Sequence, residues 1–128
     1  MTRETIGGSV MVGGVHRMPF SKAVRAGDFV FVSGVAAIDK NGAVVQGGIE
    51  EQTRHTLESI KGILEAAGCS LSDVVKTTVF LEDTRDFWSF NRVYGEFFPE
   101  NPPARSTLRC DLVLDAKVEI EVIAYKPR

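Results

Sequence analysis

Two cysteines, two histidines and one tryptophan are spread over 128 residues, and each scarcity excludes a class of protein. Cys69 and Cys110 are too few for a disulfide framework and do not form a Cys-x-x-Cys pair, so reduced thiols and a cytoplasmic location are expected. His16 and His55 have no Cys, His or acidic partner at metal-ligand spacing and read as surface histidines; no metal site is expected. No apolar run approaches the ~20 residues that span a bilayer, and Met1-Thr2-Arg3-Glu4-Thr5 has no signal-peptide core. A net charge of -2 argues against a nucleic-acid partner held by a basic surface. GxGxxG, Walker A and GxSxG patterns are all missing, which leaves dinucleotide, P-loop and serine-hydrolase chemistry without support. Gly7-Gly8 and Gly13-Gly14 read as turns or bulges rather than phosphate loops.

What is present suffices for one compact domain over residues 1–128: 44% of the residues are apolar and no composition shift marks a boundary. Residues 9–12 and 20–26 read as a first hairpin, and Phe29–Gly34 as a strand apolar on both faces. Asn41-Gly42 signals a further hairpin turn leading into a fourth strand. Ile49, Thr53, Leu57, Ile60 and Leu64 recur at helical spacing over residues 49–67, with Gly68 as the C-cap. Val74–Leu81 is again apolar on both faces. Asp83 or Thr84 caps a second helix running to about Phe98, whose buried stripe is Phe87, Phe90, Tyr94, Phe97 and Phe98. Asn91 falls on that stripe, where a buried amide either ties down neighbouring backbone or faces a site. Trp88 reads as packing and Cys110 as a core thiol.

The predicted order is β-β-β-β-α-β-α-β-β, a mixed α+β sheet. Its two helices can cover only one face. Strands apolar on both faces then call for a cover on the other, and self-association supplies it most economically.

The chemistry concentrates near the C-terminus. Two prolines, Pro102 and Pro103, end whatever precedes them, and Arg105 opens an extended segment. An arginine at a strand start can receive a carboxylate or phosphate, because its planar fork donates two parallel hydrogen bonds. Val118, Ile120, Val122 and Ala124 alternate with Glu119, Glu121, Ile123 and Tyr125. Two carboxylates on one strand face, near an arginine on an expected neighbouring strand, make either a polar site or a solvated cross-strand charge cluster. Arg109 shares the strand face of Arg105 and reads as surface or interface.

Ala104-Arg105-Ser106 with Val118–Ala124 resembles the reactive intermediate deaminase family, also called RidA, YjgF or endoribonuclease L-PSP. The resemblance extends in order and spacing to Pro19–Asp28, Phe31-Val32-Ser33-Gly34, Val79-Phe80-Leu81 with Asp83, and Phe90–Tyr94. It implies a chorismate-mutase-like α+β fold, two helices on one face of the sheet, and a homotrimer assembled through the other. It further implies sites at subunit interfaces and cofactor-free hydrolysis of enamines and 2-imino acids to 2-keto acids and ammonia. On this resemblance Arg105 holds the substrate carboxylate and Glu119 stands by the hydrolytic water. Ser33, Gly34, Asn91, Phe20 and Thr107 line the pocket.

Three positions depart from the family pattern. Phe20 stands where many members have tyrosine, Val35 replaces the common glutamine, and Thr107 replaces the common cysteine while keeping its backbone. They leave the particular imine open. They also leave a second class, a non-catalytic keto-acid binding module using the same Arg105. A ribonuclease ranks third, because no basic patch with interleaved aromatics is present.

Overall fold

The computed structural model describes residues 3–12 and 16–128. The Gly13-Gly14 turn and the surface placement expected of the His16 side chain lie outside the described residues. The elements are β1 (Arg3–Val12), β2 (His16–Ala26), β3 (Phe29–Ala36), α1 (Ile49–Ala66), β4 (Val74–Leu81), α2 (Phe87–Phe97), β5 (Ala104–Arg109) and β6 (Val118–Tyr125). The strands form one sheet in the order β1-β2-β3-β6-β4-β5. Every neighbouring pair is antiparallel except β4 with β5.

The fourth strand expected after Asn41-Gly42 is reduced to an isolated bridge between Ile38 and Val44. The turn itself is as expected: Gly42 has φ of 83°, and Asp39 Oδ1 accepts from the backbone N–H of Asn41 and Ala43. Gln46-Gly47-Gly48 follows too soon for a ladder to grow. Gly7 and Gly8, at φ of 75° and 70°, sit where the β1–β2 register slips between Ile6 and Ser9, the bulge reading of that pair.

Helix α1 forms because its apolar and small polar residues share one stripe. Ile49, Thr53, Leu57, Ile60 and Leu64 are all buried, and Glu50 and Glu51 favour its positive end. Gly68, at φ of 79°, lets the Cys69 N–H return to Leu64 O at 2.8 Å and close the helix. Helix α2 starts after Asp83, which caps a short 3₁₀ turn by accepting from the Arg85 N–H. It buries Phe90, Val93 and Tyr94. Asn101, at φ of 48°, and the prolines after it turn the chain from α2 into β5.

Both helices pack on one face. Val30, Val32, Val79, Val118, Ile120, Val122 and Ala124 form the core beneath them, so the alternation read in β6 is borne out. The other face is open: Phe29, Phe31 and Tyr125 are each more than two-fifths exposed, and Phe29 packs on Tyr125 with ring centroids 5.1 Å apart. Among the described residues no helix is long and apolar enough to cross a membrane.

Two buried polar side chains carry no local signal in the sequence. Gln52 donates to Val45 O at 3.1 Å and accepts from the Lys117 N–H at 2.8 Å, locking two loops together. Arg25, only 5% exposed, donates to Lys126 O at 3.0 Å and to Ala67 O at 3.1 Å. It thereby fastens the end of the chain to the negative end of α1.

Candidate active site

Strand β5 pairs with β4 so that Thr77, Val79 and Leu81 lie opposite Arg105, Thr107 and Arg109. Those β4 residues are buried under the helices, so Arg105 and Thr107 also face α2. The Arg105 guanidinium carbon lies 4.8 Å from the Tyr94 ring centroid, 5.4 Å from Phe90 and 5.8 Å from Phe87. A cation over ring faces is attracted by their quadrupoles. The rings are themselves fixed: Phe90 and Tyr94 are buried, and the Tyr94 hydroxyl shares a 2.8 Å hydrogen bond with Thr77 Oγ1. Burial raises the Tyr94 phenol above its ordinary pKa, against the Thr77 hydrogen bond and the Arg105 charge. Among the described residues no carboxylate lies within ion-pair distance of Arg105.

Glu119 occupies the opposite side of the sheet. It follows and precedes the buried Val118 and Ile120, so its side chain projects to the open face with Glu121. It pairs with Phe80 of β4 and Ala36 of β3. Its position over β3 depends on a bulge: Val32 pairs with Val122 and Val35 with Ile120, leaving Ser33 and Gly34 together opposite Glu121. Ser33 Oγ donates to Ser21 O at 2.6 Å, pinning the bulge to β2. A Cβ built on Gly34 would stand 3.1 Å from Glu119 Cδ and closer still to a carboxylate oxygen. Burial, and after it the Glu121 charge, raises the Glu119 pKa above the ordinary carboxylate value.

The expected residues therefore fall into two groups. Arg105, Thr107 and helix α2 with Asn91 lie on one side. Gly34, Glu119 and Phe20 lie on the other; Phe20 is 44% exposed and shares the open face with Val24, whose partner is Phe31. The expectation that Arg105 neighbours the Glu119 strand is corrected: β4 intervenes between β5 and β6, and the side chains leave opposite faces. Strand order and register are long-range properties that residue spacing does not encode.

Other expectations are corrected too. Asn91 is half-buried, and its amide makes no hydrogen bond among the described residues; the buried amide that ties backbone is Gln52. Trp88 is 78% exposed rather than packed. Cys110 lies beyond the end of β5 and is half-buried, whereas Cys69 is the core thiol. His55 is half-buried, not a free surface side chain. Arg109 is exposed as expected, with its Nε donating to Glu82 O at 3.2 Å. Among the described residues no group of three or more His, Cys, Asp or Glu side chains could hold a metal ion.

A hollow of about 150 Å³ on the open face, between Phe31, Lys76 and Glu121, contains neither Arg105 nor Glu119. A larger groove of about 310 Å³ adjoins the Arg105 side and shares Phe87 and Thr107 with it.

Comparison with known proteins agrees with this architecture. The family model described as Endoribonuclease L-PSP matches residues 15–126. A "RutC family protein" of Pyrococcus horikoshii is 52% identical over 110 residues, covering 84% of this chain and 87% of that protein. The "3-aminoacrylate deaminase RutC" of Acinetobacter baylyi is 45% identical over 109 residues, covering 84% and 86%. The crystal structure of E. coli TdcF with bound serine superposes with a TM-score of 0.84 at 34% identity, covering 96% of this chain and 98% of that one. The chain belongs to the RidA/YjgF/endoribonuclease L-PSP family of reactive intermediate deaminases.

Proposed function

We propose that the chain hydrolyses reactive enamine and imine intermediates, converting a 2-imino acid and water to a 2-keto acid and ammonia. The observation that carries this reading is Arg105. Its guanidinium is held by three aromatic rings yet has no carboxylate partner among the described residues. A cation fixed in place but not neutralised is built for an external anion, and a bidentate carboxylate fits its fork. The deaminase among the relatives and the amino-acid complex of the structural neighbour support the same class of ligand.

The chemistry asks little beyond orientation and proton management. The imine carbon is already electrophilic. Glu119 takes a proton from the attacking water as the C–O bond forms and passes it to the imine nitrogen, giving a tetrahedral amino alcohol. It then takes the remaining hydroxyl proton as the C=O bond forms and delivers it to nitrogen as the C–N bond breaks, and ammonia leaves. Its raised pKa suits a group that must both accept and donate. No electrons change hands, and we assign the reaction no cofactor.

Since the sheet separates Arg105 from Glu119 within one chain, the site is completed between copies, with Arg105 from one subunit and Glu119 from another. The open face of Phe29, Phe31 and Tyr125 is the surface through which a homotrimer closes. The two unpaired thiols suit a cytoplasmic setting.

The test is release of ammonia and keto acid from imino acids generated in situ by an amino-acid oxidase. Acceleration over the spontaneous rate is expected, and its absence across a panel of imines would refute the reading. Phe20, which brings no hydroxyl to the open face, favours one second reading, a keto-acid binding module. That module would bind the product and accelerate nothing.

A further inference from the structure

The aromatic support of Arg105 does not end at the guanidinium. Phe87, one of its three rings, is also a wall of the groove of about 310 Å³ that runs between α2 and the end of β5. Leu81, Trp88, Thr107, Leu108 and Arg109 complete much of that groove. Thr107 lies on the same strand face two residues beyond Arg105, roughly 6–7 Å along an extended chain. A ligand held at Arg105 and extended by a few bonds toward α2 therefore enters the groove.

The groove is lined mainly by apolar side chains, with Thr84, Thr107 and Arg109 between them. Leu81 forms its buried floor at 2% exposure, whereas Trp88 is 78% exposed. The indole packs edge-on against Phe87, ring centroids 5.2 Å apart, and leaves most of its surface to solvent. Arg109 borders the groove as well, its Nε held by Glu82 O at 3.2 Å, so a cationic guanidinium is kept beside it.

We propose that this groove receives the substrate's side chain, and that the preferred substrates are 2-imino acids with bulky apolar side chains, branched or aromatic, rather than hydrogen or methyl. Trp88 is the specificity-determining residue, and Arg109 disfavours side chains ending in an ammonium group. The inference rests on the reading of Arg105 as the carboxylate receptor.

Trp88 is the chain's only tryptophan, so its emission reports on the groove directly and without turnover. Titration of the assembled protein with 4-methyl-2-oxopentanoate should shift that emission to the blue and saturate. Pyruvate should bind about tenfold more weakly or worse, in line with what apolar contacts contribute to discrimination, and Arg105→Ala should abolish the response to both. In turnover, the leucine-derived imine should exceed the alanine-derived imine in kcat/KM by about tenfold or more, and Trp88→Ala should collapse that ratio several-fold. Equal kcat/KM for the two imines, or emission blind to the bulky keto acid, would overturn the inference. So would an emission already typical of a buried indole before ligand is added, which would assign Trp88 to a contact between copies. Should neither imine turn over while the emission response keeps this ranking, the groove stands and the deaminase reading falls.

Discussion

The carboxylate of Glu119 lies against the Cα of Gly34, in the space that any side chain on Gly34 would need. Gly34 is not among the residues with positive φ, so backbone conformation does not demand glycine here. Proximity does: a Cβ would meet Glu119 Cγ at 3.4 Å and Cδ at 3.1 Å. The displaced atoms are the mobile end of a side chain rather than backbone. Gly34→Ala should therefore fold and assemble while moving the carboxylate. Deamination is expected to fall by about tenfold or more, as misplacement of a reacting group commonly costs. Unchanged kcat in a correctly assembled Gly34→Ala protein would remove Glu119 from the mechanism.

The pH dependence follows from burial. Because the folded pKa of Glu119 is raised, by burial first and by Glu121 second, the folded state binds its proton more tightly than the unfolded chain. Its contribution to stability is present when protonated and is lost as pH rises from the ordinary carboxylate pKa through the raised one. Glu119→Gln should flatten that part of the stability profile. In turnover, Glu121→Gln should move the acidic limb down in pH without abolishing activity, because it removes the neighbouring charge that helps raise the Glu119 carboxyl. A limb unmoved in Glu121→Gln would detach it from Glu119.

Arg105→Ala should abolish detectable deamination, while Arg105→Lys keeps a small residue, because lysine supplies charge without the planar fork. Charge-assisted hydrogen bonds are worth roughly 1.5–3 kcal/mol each, so losing two should slow the reaction on the order of a hundredfold or more. The fold should persist, since Arg105 is half-buried on an edge strand. Wild-type kcat/KM in an assembled Arg105→Ala protein would refute the site.

Mixing tests whether the site is shared. Arg105→Ala and Glu119→Gln proteins, each inactive alone, should regain part of wild-type activity when unfolded together and refolded. Some interfaces in the mixed assemblies then pair an intact Arg105 with an intact Glu119. No recovery in assemblies shown to contain both variants would place the two residues in the same copy's half of the site.

The two amides should separate cleanly. Gln52→Ala deletes both hydrogen bonds of a buried side chain, and about 1–3 kcal/mol of stability should go with them. Asn91→Ala touches no hydrogen bond among the described residues and should leave stability within about 0.5 kcal/mol. If Asn91 orients a group in the pocket, its loss lowers kcat/KM; denaturant unfolding and turnover of the two variants, measured side by side, decide the matter.

Much of the fold was legible because it rests on local periodicity. The stripe of α1, the limits of β4 and the alternation of β6 follow from which residues repeat every two or every three to four positions. The residue pairs of the proposed site do not. Arg105 and Glu119 looked like neighbours because their segments are adjacent in sequence, but β4 inserts between them. The burial of Arg25 comes from carbonyls contributed by residues 67 and 126, which no window around residue 25 contains. Trp88 misled in the opposite direction: an aromatic beside Phe87 invites a core assignment, yet one residue along a helix turns the side chain by about 100°, off the buried stripe of Phe90 and Tyr94.

A sheet that sends Arg105 and Glu119 to opposite faces gives the proposed shared site a consequence for how activity scales with amount. A newly made chain would be inert, and specific activity would depend on concentration, declining once dilution passes the threshold for assembly. Loss of function on dilution would then precede any loss of secondary structure, and it would be recovered simply by concentrating the protein.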